Sequence, residues 1–115
     1  MGEEADLELE NMELTLLTIP DCPNAGLFEE RLAAALAGYP GAVVRRREIA
    51  DEANAAQAGM HGSPTLLING ADPFATPDQP PSLACRLYRD EAGRAARAPT
   101  VEALRRALDR ARPPG

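Results

Sequence analysis

The chain has 115 residues, a formal net charge of −6 and two cysteines. That length fits one domain whose core can form without disulfide staples, so Cys22 and Cys85 read as chemical or incidental rather than scaffolding. No basic stretch interleaves with aromatic residues and no apolar segment is long enough to cross a bilayer, so neither nucleic acid nor membrane is an expected partner.

Residues 1–11 are acidic and aperiodic, unlike a secretory leader, and are expected to be a disordered tail ahead of a domain over 12–112. With no leader, the expected location is the cytoplasm, where thiols stay reduced. Met12 to Ile19 is rich in Leu, Thr and Ile and predicts a strand buried on both faces, ended by Pro20. Asp21, Cys22, Pro23 and Asn24 form a loop into a helix, in which Leu27, Phe28, Leu32 and Leu36 recur at helical spacing. Gly38, Pro40 and Gly41 stop it.

Ala42 to Ile49 predicts a second strand. Its Arg45-Arg46-Arg47 run reads as a solvated face. Asp51 is placed to cap a short helix that Gly59 ends. Pro64 to Asn69 predicts a third strand, with a turn at Asn69-Gly70. Strands alternating with helices require at least one parallel pair and helices packed on a sheet. Ala71 to Leu83 carries four prolines and predicts a long loop. Cys85 to Arg89 predicts a fourth strand, Glu91 to Gly93 a hairpin turn, and Arg94 to Ala98 a last strand. Thr100 predicts the N-cap of a final helix with Val101, Leu104 and Leu108 as its apolar stripe.

Cys22 stands between a strand and a helix. The free N–H groups of a helix start stabilise a thiolate, the form that acts as nucleophile and as soft-metal ligand, whereas the adjacent Asp21 carboxylate opposes it. The bland alternative is a small buried apolar residue. Gly62-Ser63-Pro64-Thr65 follows the second helix and opens a strand, a position where a proline's missing N–H does no harm.

Together these segments resemble the thioredoxin superfamily over roughly residues 12–70 and the final helix. The resemblance implies an α/β fold with a central mixed sheet of about four strands flanked by helices. It also implies that Cys22 is the nucleophile and Pro64 the cis-proline beside it, and no cofactor is expected. We expect substrate contacts at Asn24, Ser63, Pro64 and Thr65. Ala25 occupies the place of the family's resolving cysteine, so a disulfide within Cys22-Pro23-Asn24-Ala25 is impossible. Cys85 is then the candidate second thiol.

The stretch from Gly62 to Tyr88 also resembles short bacterial proteins related to alkylmercury lyases. That resemblance implies carbon–mercury cleavage, with Cys22 and Cys85 holding the metal and Asp21 or Asp72 delivering the proton. Three readings stay open. One is disulfide exchange, or attack on a soft electrophile, with a thiol-containing protein or small thiophilic molecule as partner. Another is a lyase or soft-metal role for the same two thiols. The last is an interaction module without catalysis. His61 at the site rim reads as a proton shuttle or as an inert loop histidine. Phe74 and Tyr88 read as packing anchors.

Overall fold

The computed structural model describes residues 12–111. The tail expected at 1–11, the last residue of the expected domain, Arg112, and the prolines after it lie outside the described residues.

The first strand, β1 (Leu14–Thr18), is the axis of the molecule. It pairs in parallel with β2 (Val44–Glu48), from Leu14 opposite Val44 to Thr18 opposite Glu48. On its other edge it pairs antiparallel with β4 (Thr65–Ile68), from Leu14 opposite Ile68 to Leu17 opposite Thr65. The strand order is β2-β1-β4. Because successive side chains alternate, β1 divides its apolar residues between two cores. Leu14 and Leu16, with Leu66 and Ile68 of β4, pack with Phe28, Leu32 and Ala35 of α1 (Ala25–Ala35) and with Leu104, Ala107 and Leu108 of α3 (Val101–Ala111). Leu17 faces the other way, into a smaller cluster with Ile49, Met60 and Ala55 of α2 (Glu52–Ala58). Helices therefore cover both faces, which is why the apolar run of β1 is nearly continuous.

The local signals act as their chemistry requires. Asp51 Oδ1 accepts from Asn54 N–H at 2.8 Å, and Gly59 closes α2 in the left-handed region. Thr100 Oγ1 accepts from Ala103 N–H at 3.1 Å at the start of α3. Asn69 and Gly70 both have positive φ, and Ile68 and Ala71 exchange main-chain hydrogen bonds of 2.8 and 3.1 Å across them. A two-residue hairpin turn of this hand matches the twist of the strands it joins. The arginines of β2 are exposed, as the sequence suggests. The loop before α3 is tied to α1 by Arg31 Nη1, which donates to the carbonyls of Ala98 and Pro99.

Four expectations are corrected. The central sheet has three strands rather than about four. After the Asn69-Gly70 turn Ala71 bridges back to Ile68, and Asp72 and Pro73 then lead the chain away, so among the described residues no strand extends the sheet beyond β4. The strand expected to open at Pro64 opens one residue later, as β4, and an unforeseen strand, β3 (His61–Ser63), precedes the proline. The fourth strand does not join the central sheet: it is β5 (Ser82–Cys85), parallel beside β3, so Ser82 and Leu83 belong to a strand and not to the loop. Finally, Cys85 to Arg89 is not one strand. It breaks at Arg86-Leu87, and β6 (Tyr88–Arg89) instead forms a small hairpin with β7 (Ala95–Ala96). Across the break Arg86 is buried and Leu87 exposed.

Candidate functional site

The chain leaves β1 at Thr18 and reaches α1 through one tight loop. Asp21 is exposed and has φ of 57°, a left-handed conformation that a short polar side chain tolerates. Cys22 is partly exposed and its thiol is free. The first helical residue is Ala25, and Asn24 is the cap, with its side chain making no capping bond. Cys22 thus precedes the helix by a turn whose closing bond runs from Ala25 N–H to Cys22 O at 3.4 Å.

The Ser63–Pro64 peptide bond is cis. Ser63, Pro64 and Thr65 are buried, and their polar groups are committed internally. Ser63 Oγ accepts from Ile19 N–H at 3.0 Å, which fastens this segment to the loop that carries Cys22. Thr65 Oγ1 donates to Gly62 O at 2.6 Å and accepts from His61 N–H at 3.2 Å. The side chains of Ser63 and Thr65 therefore serve the architecture, and the carbonyls of Ser63 and Pro64 are engaged as well, by Arg86 N–H and the Tyr88 hydroxyl. His61 is partly exposed, with Nδ1 3.4 Å from Pro80 O.

Cys85 is exposed, free, and paired across the ladder with Ser63. The strands approach closely here. A Cβ on Gly62, which has φ of +108°, would lie 2.9 Å from Arg86 Cβ and 3.1 Å from Ala84 O, so only glycine fits. Ser63 therefore joins the two cysteine-bearing segments: its hydroxyl holds the Cys22 loop and its backbone lies against Cys85.

Arg86, the residue after Cys85, has a side chain only 5 % exposed. Its Nη1 donates to Asp72 Oδ2 at 2.6 Å and to Thr65 Oγ1 at 3.3 Å, and Nη2 donates to Phe74 O at 2.9 Å. Its guanidinium carbon lies 4.7 Å from the centroid of the Tyr88 ring. The side chain of its partner Asp72 is 3 % exposed, and the other carboxylate oxygen accepts from Phe74 N–H at 2.9 Å. Both carboxylate oxygens of Asp72 are thus engaged, and Asp21 is the candidate acid that faces solvent. Tyr88 packs edge-on against Phe28 and Phe74, with ring centroids 5.7 and 5.6 Å away, and its hydroxyl donates to Pro64 O. Burial raises the Tyr88 phenol well above its ordinary value of 10.0; the neighbouring Arg86 opposes that rise, while Asp72 and, more weakly, Cys22 add to it.

Sequence reasoning passed over Arg86 and saw Tyr88 only as packing. Alternation over Leu83–Leu87 would bury Leu83, Cys85 and Leu87 and expose Arg86, so no local signal marked the buried arginine. Among the described residues no group of three or more His, Cys, Asp or Glu side chains is disposed to hold a metal ion. No described helix is long and apolar enough to cross a membrane. Comparison with family models, with curated proteins and with solved structures found no match to this chain.

Proposed function

We propose that this chain is a thioredoxin-like domain that carries out thiol chemistry, with Cys22 as nucleophile and Cys85 as second thiol. Support for the architecture comes from the β2-β1-β4 order, helices on both faces, and a cis-proline leading into the strand antiparallel to β1. The single observation that carries the chemistry is the double role of Ser63, which binds the Cys22 loop through Oγ and the Cys85 strand through the ladder.

The Cys22 thiolate attacks one sulfur of a substrate disulfide, forming a mixed disulfide and releasing the first substrate thiolate. The Cys85 thiolate then attacks the Cys22 sulfur, forming a Cys22–Cys85 bond and releasing the second. The substrate gains two electrons and the protein loses two. Ala25 cannot resolve the intermediate, so that task falls to the distant cysteine.

The test is trapping. Cys85→Ser, challenged with a small disulfide, accumulates a mixed disulfide at Cys22 by peptide mass mapping. Cys22→Ser accumulates none there, and its turnover is lost. Equal turnover in wild type and Cys22→Ser sinks the reading. An organomercurial probes the soft-electrophile branch. Capture by the thiols is expected, and any release of the hydrocarbon is expected to be lost in Asp21→Asn, because the Asp72 carboxylate is held by Arg86 and Phe74.

A further inference from the structure

The proposal here rests on Cys85 being the second thiol and asks what holds it in place. We propose that Arg86 is a positioning residue, which with Asp72 fixes the strand end bearing Cys85 against the cis-proline segment. Arg86 grips that segment on both sides of Pro64. Its main-chain N–H donates to Ser63 O at 2.9 Å, and its guanidinium donates to Thr65 Oγ1. The same guanidinium holds the root of the proline-rich loop through Asp72 and Phe74 O. It also lies over Tyr88, whose hydroxyl holds the Pro64 carbonyl.

Stability does not explain such a group. Taking a guanidinium and a carboxylate out of water costs about what their attraction returns, and well-packed apolar side chains often do as well. What a fork of directional bonds supplies, and an apolar plug does not, is a fixed orientation. The ladder alone fixes it poorly. Among the described residues β5 pairs only with β3, over three residues of β3, with a register irregularity between His61 and Ser63. Arg86 sits where that ladder ends, so the pose of Cys85 depends on what Arg86 grips.

The experiment measures the equilibrium of the Cys22–Cys85 bond with glutathione, in which the two protein thiols and one glutathione disulfide give the protein disulfide and two glutathione thiols. Arg86→Lys keeps a charge for Asp72 but loses the fork. Asp72→Leu/Arg86→Met replaces the pair by apolar side chains. In whichever variant keeps the wild-type circular dichroism and a cooperative melt, the equilibrium constant is expected to fall by roughly tenfold to a hundredfold. The rate at which iodoacetamide alkylates Cys22 is expected to stay within about twofold. A constant equal to wild type overturns the positioning role while leaving the thiol reading intact. Failure of the wild type itself to form the bond overturns the second-thiol reading, and this role with it. Unfolding of both variants assigns the pair to stability and overturns the role as well.

Discussion

The two ends of β4 are built on different principles. At Leu66 and Ile68 the strand joins the larger core, where β1, β4, α1 and α3 meet through leucines, small alanines and Phe28. At Thr65 and Pro64 it enters a buried polar cluster, where Arg86, Asp72, Thr65 and Tyr88 are linked by named hydrogen bonds and one ion pair. Apolar packing is graded and forgiving of shape, because its energy scales with area. The polar cluster is all-or-none, since each member is satisfied only while the others stay in place. The candidate site lies at the second kind of end, where geometry is held by direction rather than by volume.

That contrast sets the size of the expected mutational effects. The largest belongs to Asp72→Ala, which strands the buried Arg86 guanidinium without its carboxylate. A loss of about 3–5 kcal/mol in urea unfolding is expected, with much of it recovered in Asp72→Leu/Arg86→Met. If Asp72→Ala costs under about 1 kcal/mol, the cluster is not the all-or-none unit described. Next is Leu66→Ala in the apolar end, at about 2–5 kcal/mol, with Leu66→Met below about 1.5 kcal/mol because volume is kept. A Leu66→Met cost as large as the alanine cost shows that this core too depends on shape.

A smaller effect, of opposite sign, is expected at Thr18. Among the described residues its Oγ1 is the buried side-chain oxygen without a hydrogen-bond partner. Thr18→Val keeps the shape and removes the unsatisfied group, so the thermal midpoint should rise, by about 1 kcal/mol in stability terms. A fall in the midpoint means that the hydroxyl has a role near the Cys22 loop.

The last effect appears only in alkali. The Tyr88 phenol is held neutral in the fold above its ordinary value of 10.0. Above pH 10 the unfolded chain loses that proton while the folded chain keeps it, so stability falls as pH rises through this range. Tyr88→Phe is expected to show a shallower alkaline decline in denaturant midpoint than wild type. An unchanged slope means that Tyr88 ionises alike in the two states.

Much of the scaffold was legible before any coordinates, because its signals are local. Asp51 and Thr100 cap the helices they precede, Asn69-Gly70 turns the hairpin, and the Leu-rich run of β1 carries the double burial of a central strand. Legibility failed after Ala71. There the pairing partner of β5 lies some twenty residues upstream, and no periodicity in Ser82–Cys85 says whether it joins β3 or β4. The candidate site divides the same way. Cys22 and Pro64 stood out by their flanking elements, whereas the fork of Arg86 depends on an aspartate fourteen positions away.

The amino-acid order by itself determined where helices start and stop, which residues are apolar, and that no second cysteine lies within reach of Cys22 along the loop. These follow from torsional preference and hydrophobic period, which act over a few residues. Only the tertiary structure decided that the sheet ends at three strands, that Cys85 lies against Ser63, and that a buried arginine grips both sides of Pro64. Those depend on chain segments far apart in sequence meeting at hydrogen-bonding distance, and no local preference encodes such a meeting.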